Sequence, residues 1–113
     1  MLQTMLEYRK GILFVRLIGS LNKNTYSDFK TNVLNIIEEN DIKNVVLNFT
    51  YLEEIDYKGI SLIYYLYEIS KNGHVLVCNI NDKIDLKLKK NRVFNYIKKM
   101  DNEMEAFNLM KVW

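Results

Sequence analysis

Short apolar runs alternate along this chain with longer stretches in which apolar residues return every three or four positions. The first pattern predicts strands and the second predicts helices. Residues 3–8 read as an edge strand, and Arg9-Lys10-Gly11 reads as a hairpin turn in which glycine supplies a positive φ. Ile12 to Ile18 is a strongly apolar strand interrupted only by Arg16, and Gly19-Ser20-Leu21-Asn22 ends it. Asn24 or Thr25 can cap a helix running to about Asn40, with Tyr26, Phe29, Val33, Ile36 and Ile37 on one face. Val45-Val46-Leu47-Asn48-Phe49 is β-branched and too short for a helix, which predicts a strand buried on both faces.

A second helix is expected from Tyr57 to about Asn72, with Asn72-Gly73 as its stop. A helix buries one stripe, so Tyr64, Tyr65 and Tyr67 cannot all face the core, and at least one belongs at the surface. Val75 to Ile80 predicts another buried strand. Asn81 or Asp82 caps a third helix ending near Asn91, and Phe94 to Met100 predicts a short last strand. Asp101 or Asn102 caps a final helix with Met104, Phe107 and Leu109 or Met110 facing inward. The order is β-β-α-β-α-β-α-β-α. A hairpin leading into right-handed βαβ units gives an α/β fold with a mixed central β-sheet and about four α-helices. Function in such sheets gathers at the carboxyl ends of the strands, here Asn22 to Thr25, Thr50 to Lys58 and Asn79 to Asp82.

Composition narrows the function classes. The chain has 113 residues, no proline and no low-complexity linker, so residues 1–113 are expected to form one domain. A net charge of +2 gives no electrostatic case for nucleic acid. The basic residues Lys87, Lys89, Lys90, Arg92, Lys98 and Lys99 are interrupted by Asp82, Asp85 and Asp101, which reads as a solvated surface. The single cysteine, Cys78, lies in an apolar run and cannot form an internal disulfide, so a reducing, cytoplasmic setting is expected. No stretch reaches the roughly 18 uncharged apolar residues of a membrane-spanning helix, so no membrane insertion is expected. Met1 to Tyr8 lacks the features of a signal peptide.

Candidate chemistry is sparse. His74 is the only histidine and reads as a loop residue, and the acidic group Glu53-Glu54-Asp56 has no further ligands at metal-binding spacing. The four glycines are isolated, so no phosphate-cradling loop is present, and no nucleophile–base pair can be drawn. The expectation is a binding module without a cofactor, not an enzyme.

Four segments carry a resemblance to a known family. They are Phe14-Val15-Arg16-Leu17-Ile18-Gly19-Ser20-Leu21-Asn22, Ile42-Lys43-Asn44-Val45-Val46-Leu47-Asn48-Phe49, Leu52-Glu53-Glu54-Ile55-Asp56-Tyr57-Lys58-Gly59-Ile60, and Val75-Leu76-Val77-Cys78-Asn79-Ile80. In order and spacing they resemble the STAS domain of anti-sigma factor antagonists and sulfate transporter tails. The third is similar to the signature Leu-x-x-x-Asp-Ser-Ser-Gly-Leu. The resemblance implies a STAS-like fold and a partner that is an anti-sigma factor or related serine kinase, which would regulate sigma-factor-dependent transcription. It also admits a subunit of a larger sensing complex or an accessory subunit of a membrane lipid transporter. The oligomeric state stays open.

The resemblance places the partner-binding surface at Asn22, Thr25, Asn48, Asp56, Tyr57, Lys58 and Gly59. In the family a kinase phosphorylates a signature serine. Lys58 stands at that position, and Tyr57 replaces the other serine. Lysine has no hydroxyl, so the usual switch cannot operate there. Its ammonium at a helix N-terminus has the wrong sign for the dipole, costing about 0.3–1 kcal/mol unless the long side chain carries the charge away. Lys58 reads either as tolerance at an exposed position or as a partner for an acidic group. Asp56 can cap the second helix through N–H groups of residues 58 or 59. Gly59 permits close packing or partner approach. Asn22 and Asn48 suit either the partner edge or loop hydrogen bonds. Thr25, Thr50 and Ser61 are the remaining hydroxyls for phosphorylation.

Overall fold

Lys10 and Gly11 both take positive φ, 56° and 79°, and fold strand β1 (Leu2–Arg9) back on β2 (Ile12–Leu21). A two-residue turn with two left-handed residues matches the twist of the strands it joins, so the hairpin needs the second residue as much as the glycine. The computed structural model describes residues 1–70 and 73–111. After the hairpin come helix α1, then β3 (Asn44–Ile55), α2 (Tyr57–Ile69), β4 (His74–Cys78), α3 (Asp82–Lys90), β5 (Lys98–Met100) and α4 (Glu103–Met110). Helix α1 is α-helical over Tyr26–Phe29 and Asn35–Glu39 and π-helical over Lys30–Leu34 between them.

The sheet order is β1-β2-β3-β4-β5, with β1 antiparallel to β2 and every later pair parallel. The chain therefore steps across the sheet in one direction. Right-handed crossovers that always step the same way put α1, α2 and α3 on one face. That face holds the larger core, where Phe29, Ile37, Leu62, Leu66, Ile84 and Leu88 from the helices meet Leu13, Val15, Val45, Leu47, Phe49 and Val77 from the strands. Among the described residues, helix α4 is the one helix on the other face, packing Ala106 and Met110 on Ile12, Phe14, Val46, Leu76 and Cys78. This α/β architecture agrees with the predicted element order.

Several boundaries move, each for a physical reason. Strand β3 is twelve residues long instead of five, because it continues beside β2 after β4 has ended. Its extension buries Leu52 and Ile55 on one side and leaves Tyr51, Glu53 and Glu54 exposed, so the apolar run that marked the strand stops at Phe49. Strand β5 keeps only Lys98–Met100, and a 3-10 turn at Val93–Asn95 occupies the start of the predicted strand. Helix α2 ends at Ile69, with the Ser70 N–H bonded to Leu66 and Tyr67 carbonyls. Asn72 of the expected stop lies outside the described residues. Gly73 serves close approach, since a Cβ there would collide with the Lys43 carbonyl. Thr25 stands at the head of α1 without a side-chain cap bond. Asn81 caps α3 through the Ile84 N–H, and Asn102 caps α4 through the Glu105 N–H. Met104, expected inward, is 72% exposed, because Ala106 and Met110 take the inner face of α4. Tyr64, Tyr65 and Tyr67 all reach the surface, and Tyr64 and Tyr67 lean on Tyr96 with ring centroids 5.3 and 5.0 Å away.

Helix α4 is fastened by charge. Glu103 accepts two hydrogen bonds from the Arg16 guanidinium, both 2.8 Å, and one from Asn48 Nδ2 at 2.6 Å. Arg16 also donates to Glu7 at 3.0 Å. The Arg16 hydrogen bonds hold the Glu103 carboxyl below the usual carboxylate range, against the effect of its partial burial. A carboxyl depressed in the fold stabilises at pH values above its unfolded-chain value and loses that contribution as pH falls through the folded one. Glu103→Gln therefore lowers the unfolding free energy at pH 7 by about 1–2 kcal/mol. The gap to wild type closes as the pH drops below the carboxylate range, as urea titrations at neutral and acid pH will show.

Candidate functional site

The carboxyl ends of β2 and β3 lie side by side, with Leu21 opposite Ile55 in register. The chain leaves β2 through Asn22, Lys23 and Asn24, and leaves β3 through Asp56 into α2. Asp56 binds both exits together. Its Oδ1 accepts the N–H groups of Lys58 (2.9 Å) and Gly59 (3.1 Å), and its Oδ2 accepts the N–H of Lys23 (3.1 Å). Its own N–H donates to the Leu21 carbonyl at 3.2 Å. The predicted cap is therefore present, and it reaches further, into a loop 33 residues earlier.

Gly59 lies beneath this junction. A Cβ there would sit 2.5 Å from the Leu21 carbonyl oxygen and 2.7 Å from Ile55 Cγ1. Of the two readings, the structure selects close packing: Gly59 is buried and lets α2 touch the end of β2. Thr25 is likewise buried, 4% exposed. Its hydroxyl donates to the Ser20 carbonyl at 2.8 Å and accepts the Asn22 N–H at 3.0 Å. It shapes the loop, with its hydroxyl engaged inside it. Asn22 is half-buried, and its side-chain oxygen accepts the Asn24 N–H at 2.9 Å.

Asn48 is not brought to this cluster. It lies inside β3 opposite Arg16 and Cys78, on the α4 face, where it donates to Glu103 and accepts from Thr50. The extension of β3 accounts for this: the predicted strand ended near Asn48, whereas the real strand end is Ile55. Cys78 shares that buried face, and desolvation, reinforced by the nearby Glu103 charge, pushes its thiol up to about 12, as expected of an inert core residue.

Two signature residues stand clear of the surface. Tyr57 is 67% exposed, and Lys58 is exposed with its ammonium 5.2 Å from the centre of the Tyr26 ring. The long side chain thus carries its charge off the helix N-terminus and onto an aromatic face. Beside it runs a hollow of about 270 Å³ between α1 and α2, lined by Tyr26, Lys30, Leu34, Lys58, Ser61, Leu62 and Tyr65. Its floor is aliphatic, and two lysines stand on its rim. Ser61 lies there too, its hydroxyl donating to the Tyr57 carbonyl at 2.9 Å. Lys23, Tyr26 and Lys30 were missed from sequence. Tyr26 carried a signal, since it stands at the head of α1, but its helical spacing assigned it to the core.

Among the described residues, no three His, Cys, Asp or Glu side chains gather as metal ligands, and no helix is long and apolar enough to cross a membrane. His74, expected in a loop, opens β4, its N–H donating to the Lys43 carbonyl at 2.9 Å.

Comparison with known proteins agrees with this architecture. The family model of the STAS domain matches residues 3–106. An anti-sigma F factor antagonist of Paenibacillus polymyxa is 27% identical over 113 residues, 98% of this chain and 97% of its own length. A crystal structure of a Thermotoga maritima protein superposes with a TM-score of 0.90 at 17% identity, covering 96% of this chain and 94% of that one. The anti-sigma factor antagonist SpoIIAA in its unphosphorylated form superposes at 0.77 with 18% identity, covering 96% and 98%.

The Asp56 junction generates a direct test. Asp56→Ala removes an acceptor shared by three backbone amides and lowers stability by about 1–2 kcal/mol in urea titration. The amides of Lys23, Lys58 and Gly59 then exchange with solvent faster than their neighbours in hydrogen-exchange NMR.

Proposed function

The chain belongs to the STAS family, and from that premise we propose that it acts as an anti-sigma factor antagonist whose partner is an anti-sigma factor of the serine-kinase type. The observation that carries the reading is the exposed pair Tyr57-Lys58, held at the head of α2 by a side chain that also fixes the neighbouring loop. Rigid placement of a few exposed groups lowers the ordering cost of binding. A tyrosine and an exposed cation resting on an aromatic ring are suited to a protein surface that offers an apolar pocket and a carboxylate.

The proposed contact surface is Asn22, Tyr57 and Lys58, with Lys23 and Asn24 from the adjoining loop. Asp56, Thr25 and Gly59 frame it from below, and Asn48 plays no part in it. Regulation at this surface is proposed to differ from the phosphoserine switch. Position 58 carries an amine, and the Thr25 hydroxyl is buried and engaged. Binding is then not set by phosphorylation of residue 58. This is a reading of the chain as a binding module, without turnover of its own.

The test is titration calorimetry with anti-sigma factor kinases from the same genome. One of them binds the wild-type chain. Lys58→Glu, which reverses the charge at the contact, weakens that complex about tenfold or more. Incubation with the same kinase and ATP leaves residue 58 unmodified by mass spectrometry. Tighter binding of Lys58→Glu would contradict the proposed surface.

A further inference from the structure

The two edges of the sheet differ in kind. Strand β5 is three residues long and carries Lys98 and Lys99, the latter paired to Asp85 at 2.9 Å. Short, lysine-bearing edges resist pairing with other chains. Strand β1 is longer, and its charged residues are confined to Glu7 and Arg9 near the turn. It pairs with β2 over eight consecutive positions without a shift of register, and it contains neither proline nor lysine. Leu6 and Tyr8 lie on the face toward α1, and on the opposite face Met5 stands among the polar Gln3, Glu7 and Arg9. Leu6 and Tyr8 border a hollow of about 480 Å³ with Leu13, Ile36 and Ile42, and Met5 on the opposite face is 55% exposed.

We propose that β1 is a self-association edge: two copies of this chain pair antiparallel through it, with Leu6 on the two-fold axis. The two-residue turn makes Arg9 and Ile12 the first pair that exchanges backbone bonds within the hairpin. Alternation then turns the N–H and C=O groups of Thr4, Leu6 and Tyr8 outward. A two-fold axis at Leu6 sets Leu6 against its own copy and Thr4 against Tyr8, so every outward residue meets another outward residue. The same register sets Glu7 against Met5 and Arg9 against Gln3, so no like charges stand directly opposite, and the two diagonal Glu7 carboxylates are each paired with Arg16 of their own chain at 3.0 Å. The two Leu6 side chains meet at the mouths of the two hollows and cover them. An interface of this kind is self-complementary, as a closed two-fold contact must be. It lies on the far side of β2 from β3, so a second copy pairs with a different strand from the one that leads into Tyr57 and Lys58.

Sedimentation equilibrium of the full chain from micromolar to near-millimolar concentration tests this. The mass of the wild type rises from one chain to two. Leu6→Lys places like charges across the axis and stays a single chain throughout, with an unchanged far-ultraviolet circular dichroism spectrum. Under oxidation, Leu6→Cys gives a disulfide-linked dimer, because an opposed pair has Cα atoms about 5.5 Å apart. Tyr8→Cys does not, because its copy lies four residues along the strand, about 13 Å away. The native Cys78 is buried and does not compete. A wild type that stays single at all concentrations, undiminished association of Leu6→Lys, or equal cross-linking of the two cysteine variants would overturn the proposal. Those last two results would point instead to another face, or to an edge kept for an extended segment of a different protein.

Discussion

The carboxylate of Asp56 accepts backbone N–H groups from both chain exits at one end of the sheet, from Lys23 on one side and from Lys58 and Gly59 on the other. An ionised acceptor makes stronger hydrogen bonds than a neutral one, and the Lys58 and Gly59 amides would otherwise be orphan donors at the start of α2. The bonds have a geometric consequence. Helix α2 can be drawn onto the end of β2 only because Gly59 has no Cβ to meet the Leu21 carbonyl 2.5 Å away. Asp56 and Gly59 therefore act as one device, in which the carboxylate pulls the two exits together and the glycine lets them meet. Tyr57 lies between the two, and its orientation outward follows from theirs.

The one-directional sheet explains why that junction stands at an open end. Three helices on one face build the main core, and α4 covers part of the other. The two faces are sealed differently. The first relies on aliphatic and phenylalanine side chains, each worth about 1.5–3 kcal/mol when fully buried. The second adds the Arg16–Glu103–Asn48 cluster, in which polar groups satisfy one another at the rim of a small apolar patch. The signature end of the molecule and the α4 face are consequently separate in chemistry: a loop-and-helix junction on one, an ion pair clamped under a short helix on the other.

Much of this was legible in the residues. Short apolar runs marked the five strands and three-to-four-residue spacing the four main helices, and residue type and position pointed to Asp56 as a cap and narrowed the other two to Asn81 or Asp82 and Asp101 or Asn102. Asn48 lies apart from the Asp56 cluster because β3 runs on to Ile55: a strand that outlives its neighbour turns one face to water and loses the apolar run that marks its end in sequence. Thr25 and Gly59 were placed at the right end of the sheet, but sequence does not say which atoms of a junction lie above and which below. The stacking of Lys58 on Tyr26 depends on two helices approaching each other, which no local pattern encodes. The STAS signature supplied what periodicity could not: the expectation of a functional group at position 58.

A partner is proposed to touch the molecule at the head of α2 and the loop beside it. The direct measurement is a backbone NMR titration of the ¹⁵N-labelled chain with an anti-sigma factor kinase from the same genome. The largest shifts are expected on Asn22, Lys23, Asn24, Tyr57 and Lys58, with the amides of α4 undisturbed. Shifts centred on Glu103–Met110, with the head of α2 silent, would contradict it.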